Sequence, residues 1–149
     1  MLRGPSPGAG RPLKILLVED NLDHVVITRQ AVASILPCEV EVVHDGAKAV
    51  ARLTETAARP RPDLILLDLH LPSMNGIEVL RHVRGNPAYN GTPVIILTAA
   101  GDDEVAILEC YANGASSFLP KPATDKRFAE ALKVLTLSHH FPTDAPIPV

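Results

Sequence analysis

Five short runs of β-branched and aliphatic residues recur along the chain, and a longer segment of helical period follows each one. The runs are Ile15 to Val18, Val40 to Val43, Leu64 to Leu67, Val94 to Leu97 and Ser117 to Leu119. Four of them are almost wholly apolar, as strands are when helices cover both faces of a sheet. Strands that alternate with helices in this way predict a parallel sheet with crossover connections. No internal repeat points to a solenoid instead.

The intervening segments carry their own start and stop signals. Asn21 is placed to cap a helix bearing Leu22, Val25, Val26, Val32 and Leu36, and Asp45 to cap one bearing Val50, Leu53 and Ala57. Asn75 opens a third helix, which Gly85 closes. A fourth begins at Asp102, Asp103 and Glu104, where carboxylates suit the positive end of the helix dipole, and stops at Gly114. Phe128, Ala131, Leu132 and Leu135 share one face of a fifth. The sum is an α/β doubly wound (βα)5 fold. Periodicity does not give the strand order. The common flavodoxin-like order, 2-1-3-4-5, sets its ligand crevice beside strands 1 and 3.

A chain of 149 residues supports one such domain, expected at 13–138 between a flexible Gly/Pro-rich extension at 1–12 and a Pro-rich tail at 139–149. A net charge of -3, with three Phe, two Tyr and no Trp, argues against direct nucleic-acid binding. Apolar runs this short do not cross a membrane, and the first residues contain no secretory block, so a cytoplasmic location is expected. Cys38 and Cys110 stand apart with no metal-ligand spacing and read as reduced thiols.

The polar residues directly after the apolar runs are the informative ones. Glu19 and Asp20 follow the first strand, Asp68 the third and Thr98 the fourth, and Lys121 lies near the end of the fifth. In an open parallel sheet the carboxyl ends of the strands line the ligand crevice, so these residues are expected to converge there. Three close carboxylates favour protonation unless a cation compensates, and magnesium suits hard oxygen ligands together with phosphate. A carboxylate beside such an ion is a nucleophile toward phosphorus. Lys121 and the Thr98 hydroxyl suit phosphoryl oxygens, where the transition state carries its charge.

Four strings carry a specific resemblance: Leu16-Leu-Val-Glu-Asp-Asn21, Asp63-Leu-Ile-Leu-Leu-Asp-Leu-His-Leu-Pro-Ser-Met-Asn-Gly76, Pro93-Val-Ile-Ile-Leu-Thr-Ala-Ala100 and Gly114-Ala-Ser-Ser-Phe-Leu-Pro-Lys-Pro122. Together they resemble the successive signatures of response-regulator receiver domains. The resemblance implies Asp68 as phosphoacceptor. It implies Glu19, Asp20, Asp68 and the backbone carbonyl of His70 as the Mg2+ site, with Thr98 and Lys121 serving the phosphoryl group. It also implies a cis peptide between Lys121 and Pro122, and a switch formed by Thr98 and Phe118, the latter a position often held by Tyr. His70 is expected at the pocket mouth. His24, His44 and His82 read as surface residues, and His139-His140 as a helix end.

The function implied is a stand-alone regulator, phosphorylated by a histidine kinase and signalling through protein contact near helix 4, strand 5 and helix 5. The extended Gly85 to Thr92 connection and the proline-bearing tail are similar to short regulators partnered with phytochrome-type kinases. Homodimerisation is a further expectation. Two other classes stay open at this point. A hydrolase of the haloacid dehalogenase type would use the same nucleophile and ion but normally has an acid where His70 stands, and an adaptor would keep the pocket yet bind without phosphorylation.

Overall fold

Each apolar run forms a strand, and the side chains within each run divide between two faces. The structure, a computed structural model, describes residues 12–35, 37–55, 60–99, 102, 104–121, 128–130 and 132–134. In chain order these form β1 (Leu13–Val18), α1 (Leu22–Ala33), β2 (Cys38–Val43), α2 (Gly46–Thr54), β3 (Leu64–Asp68), α3 (Gly76–Arg84), a 3-10 turn (Pro87–Tyr89), β4 (Val94–Thr98), α4 (Glu104–Ala112) and β5 (Ser117–Pro120). Residues 128–130 and 132–134 are helical as well. The strands pair in parallel in the order β2-β1-β3-β4-β5, the expected doubly wound arrangement.

Two cores result from the period-2 alternation of strand side chains. Leu16, Val18, Ile65, Leu67 and Ile96 pack on one face with Leu53, Val79, Leu80 and Val83 from α2 and α3. Ile15, Leu17, Leu64, Leu66, Ile95 and Leu97 pack on the other with Val25, Val32, Phe128 and Leu132. Burial is complete along β3 and β4, whereas the edge strands β2 and β5 are only partly covered because each has a single neighbour.

The caps form as expected: the side chains of Asn21, Asp45 and Asn75 accept from the backbone N–H of His24, Lys48 and Glu78. The apolar stripe expected on α1 needs correction. Val25 and Val32 are buried, but Leu22 is 67% exposed and Val26 54% exposed, and Thr28 takes the inward place between the two valines. Counting apolar residues cannot distinguish an inward from an outward valine when the helix is apolar on several sides. The fourth helix starts at Glu104, so Asp102 precedes it. Leu36, Ala57, Asp103, Ala131, Leu135, Pro122, His139-His140 and the two tails lie outside the described residues, as does any statement on the Lys121–Pro122 peptide.

Two local devices hold the connections. In the Gly85 to Thr92 connection, Tyr89 is fully buried and its hydroxyl donates to the Leu53 carbonyl at 2.6 Å, pinning the turn to α2. Gly114 adopts φ +100, which glycine accepts at no steric cost, and Arg84 lies across it and donates to its carbonyl at 2.8 Å.

Gly76 lies directly under the end of β3. A Cβ placed there would stand 2.5 Å from the Asp68 carbonyl oxygen and 2.9 Å from the Leu69 Cα, both of them backbone atoms. Gly76→Ala should therefore cost about 1–3 kcal/mol by overpacking, read as a lower urea midpoint with an unchanged m-value. A midpoint equal to that of the wild type would show that the contact relaxes freely.

Candidate functional site

Four strand ends meet at one edge of the sheet. Glu19 extends the β1 ladder, donating its N–H to the Val43 carbonyl at 3.0 Å, and its side chain turns into the protein with no exposed surface. Asp20, the next residue, is exposed. Asp68 and Thr98 are the last residues of β3 and β4, and both are buried. Lys121 follows β5 and donates its backbone N–H to the Thr98 carbonyl at 2.7 Å, which fixes where its side chain departs.

That side chain is the centre of the site. The Lys121 ammonium donates to Glu19 Oε1 at 2.9 Å and to Asp68 Oδ2 at 3.1 Å. The remaining carboxylate oxygens accept from backbone, Glu19 Oε2 from the Asn21 N–H and Asp68 Oδ1 from the His70 N–H, both at 3.2 Å. The Thr98 hydroxyl reaches the Leu119 carbonyl at 3.4 Å.

Glu19, Asp20 and Asp68 each bring one oxygen within 4.8 Å of the others, a grouping able to hold a metal ion. The donor chemistry fits a hard divalent cation: three carboxylates, two of them buried, whose charge a single ammonium does not balance. Burial pushes the Glu19 carboxyl up to about 7 against the pull of Lys121, and the neighbouring Asp68 adds to the rise. Burial alone would lower the Lys121 pKa, but the two carboxylates outweigh it and hold the ammonium above its ordinary value.

Two residues have roles here that residue type alone did not reveal. His24 is half-exposed but lies against the site, its Nδ1 accepting from Lys121 Nζ at 3.1 Å and standing 3.7 Å from Glu19 Oε1. The available signal was position: His24 is one helical turn beyond Asp20, and helix side chains lean toward the N-terminus. Asp102 was expected to serve the α4 dipole. Its carboxylate instead accepts from the Ala99 N–H at 2.6 Å and meets His70 Nε2 at 2.5 Å. The His70 ring is 68% exposed at the pocket mouth. His44 is exposed and places Nδ1 3.2 Å from the Glu19 carbonyl.

Phe118 is 40% exposed and packs edge-on against Tyr111 of α4, with ring centroids 6.0 Å apart at 79°. Val105 and Leu108 are exposed on the same helix as Tyr111. A separate cavity of about 430 Å³ between α2 and α3, lined by Leu53, Arg81, His82 and Tyr89 among others, shares no residue with the acidic cluster.

A parallel sheet in this order with helices between its strands, carrying three acids, a hydroxyl and an ammonium at its carboxyl edge, has the flavodoxin-like fold of receiver domains. The profile of the response regulator receiver domain matches residues 15–133, and the chain belongs to that family. Phosphorylation by a histidine kinase is general for these domains of two-component systems. The chain is 34% identical over 128 residues to the probable methanogenesis regulatory protein FilR2 of Methanothrix harundinacea, covering 82% of each. It spans only about half the length of some transcriptional regulators that it matches, including 51% of CpxR from Klebsiella pneumoniae.

Among solved structures, the phosphorylated cyanobacterial phytochrome response regulator RcpA superposes with a TM-score of 0.76 at 35% identity, covering 89% of this chain and 99% of that one. The Mn2+-bound form of the response regulator Rcp1 superposes with a TM-score of 0.74 at 29% identity, covering 88% and 99%. A related receiver is thus seen with a divalent cation bound, and this chain carries an acidic cluster, Glu19, Asp20 and Asp68, whose donors suit such an ion. No helix among the described residues is long and apolar enough to cross a membrane.

The raised Glu19 pKa sets a pH dependence for the metal-free protein. A carboxyl that titrates near 4.5 when unfolded and about 7 when folded makes the folded state the stronger proton binder between those values. Its contribution is fully present below pH 4.5 and declines as pH rises through about 7. With a chelator present, Glu19→Gln should flatten this decline relative to wild type in urea titrations across that window. Parallel curves for the two proteins would show that Glu19 titrates at its ordinary value.

Proposed function

We propose that the chain is a single-domain response regulator that takes a phosphoryl group on Asp68 from a histidine kinase and passes the signal on through protein contact. The observation that carries this reading is the Lys121 ammonium, within hydrogen-bond distance of Asp68 and Glu19 together. An ammonium so placed already touches the nucleophile and can turn to a phosphoryl oxygen while Glu19 keeps its stem in place. The Asp68 oxygens are held apart by Lys121 and the His70 N–H, which leaves their lone pairs directed rather than free to rotate.

In the transfer, an Asp68 oxygen forms the new bond to phosphorus as the bond to the donor's imidazole nitrogen breaks. Lys121 and the Thr98 hydroxyl then receive charge that builds on the phosphoryl oxygens. Glu19, Asp20, Asp68 and the His70 carbonyl are the groups that would hold Mg2+, which supplies charge neutralisation at those same oxygens. Thr98 leaves its long bond to Leu119 to make this contact, and the space it vacates allows Phe118 to move in from its place beside Tyr111. The exposed set Val105, Leu108, Tyr111 and Phe118 is the surface where this movement is read, by a partner protein or a second copy of the chain. Likeness to RcpA, a phytochrome response regulator, supports a phytochrome-type kinase as the donor, and a cytoplasmic setting is part of the same proposal.

Incubation with acetyl phosphate and magnesium, followed by intact-mass measurement, should show one added phosphoryl group, and Asp68→Asn should show none. Lys121→Ala should slow the reaction by about 10²-fold, the usual loss when one charge-stabilising donor is removed. An adduct that persists in Asp68→Asn would refute the assignment. So would the absence of any adduct on wild type, with a cognate kinase and conditions that trap short-lived species.

A further inference from the structure

Asp102 has a bonding pattern that the transfer chemistry does not use. Its side chain is only 7% exposed, and its two oxygens go to different places: Oδ2 accepts from the Ala99 N–H at 2.6 Å and Oδ1 meets His70 Nε2 at 2.5 Å. Its own N–H returns to the Ala99 carbonyl at 3.1 Å.

The direction of the Ala99 N–H follows from the strand alternation. The Leu97 carbonyl accepts from the Leu69 N–H at 3.3 Å and so faces β3, while the Thr98 carbonyl accepts from the Lys121 N–H at 2.7 Å and so faces β5. Ala99 turns back toward β3, at whose end Asp68 stands. The next carbonyl along that edge, Leu69, already accepts from the Gly76 N–H at 3.0 Å. The Ala99 donor therefore faces the phosphoacceptor strand, and an internal carboxylate closes it.

We propose that Asp102 is an internal competitor for the phosphoryl group, holding the Ala99 N–H until an anion on Asp68 displaces it. The inference rests on the reading of Asp68 as phosphoacceptor. Two anions cannot share one backbone donor at close range without strong repulsion, so an arriving phosphoryl oxygen and the Asp102 carboxylate exclude each other. Burial raises the Asp102 pKa, but the His70 ring, the Ala99 N–H and the Lys121 ammonium outweigh it and keep the group below its ordinary value. Displacement parts Asp102 from His70, which unties the connection after β4 from the connection after β3. Asp102 stands two residues before α4, the helix that carries Val105, Leu108 and Tyr111.

Beryllofluoride with saturating magnesium is the probe, and amide resonances report both binding and fold. A competitor that occupies the donor nine-tenths of the time weakens apparent affinity about tenfold, so Asp102→Ala should bind beryllofluoride about three- to tenfold more tightly than wild type. Glu104→Gln removes an exposed carboxylate from the start of α4 and should change affinity less than about twofold. In wild type, the Ala99 amide and the His70 ring should shift with one midpoint. Equal or weaker binding by a folded Asp102→Ala would overturn the proposal, as would equal tightening by Glu104→Gln, which would mark a general charge effect. If Asp102→Ala fails to fold, Asp102→Asn serves in its place. It keeps an acceptor oxygen without the charge and should tighten binding by a smaller factor, and no tightening would count against competition. Failure of wild type and variants alike to bind beryllofluoride would remove the phosphoacceptor reading itself, and this inference with it.

Discussion

The ammonium of Lys121, shared between the carboxylates of Glu19 and Asp68, is the interaction on which the site depends. It joins the ends of β1, β3 and β5, and it is only 10% exposed, so little water competes for its bonds. Desolvating such charges costs several kcal/mol for each ion, and removing one partner of a buried pair typically costs about 3–5 kcal/mol. Pairs of this kind are poor contributors to net stability. Their presence here is better understood through what they position: a nucleophilic carboxylate, held ready by a cation that can change partners.

The fold accommodates this charge by making everything beneath it apolar and fixed. β3 is buried from Leu64 to Asp68, and Gly76 allows α3 to begin directly against the Asp68 carbonyl. Asp68 thus stands on a closely packed base, while the residues around it sit on connections between the regular elements. His70, Ala99 and Asp102 all belong to those connections. Part of the exposed apolar set lies on α4, which begins two residues after Asp102.

Much of this was legible beforehand where the relevant information is local. Asn21, Asp45 and Asn75 announce their helices because a cap bonds to an N–H three residues on. The acids, hydroxyl and lysine of the site stood out because each directly follows an apolar run, and the crevice of a doubly wound sheet lies at those ends. The α1 stripe was less legible, since Leu22 and Val26 are as apolar as Val25 and Val32 yet face solvent. His24 and Asp102 were missed for a related reason. Each bonds to a group chosen by three-dimensional proximity, and nothing in their own neighbourhoods distinguishes a solvated side chain from a pocket one.

The sequence by itself determined the strands, the capped helices, the doubly wound class and the set of chemical groups available at the strand ends, because these follow from periodicity and from residues a few positions apart. Tertiary structure decided which of those groups touch. Lys121 is 102 positions from Glu19, 97 from His24 and 53 from Asp68, so its contacts depend on strand order and register, which periodicity does not encode. The Asp102 bridge to His70 spans 32 positions and exists only because β3 and β4 are neighbours in the sheet. The physical reason is the same in each case: hydrogen bonds act over about 3 Å, and only the packed sheet brings such distant residues within that range.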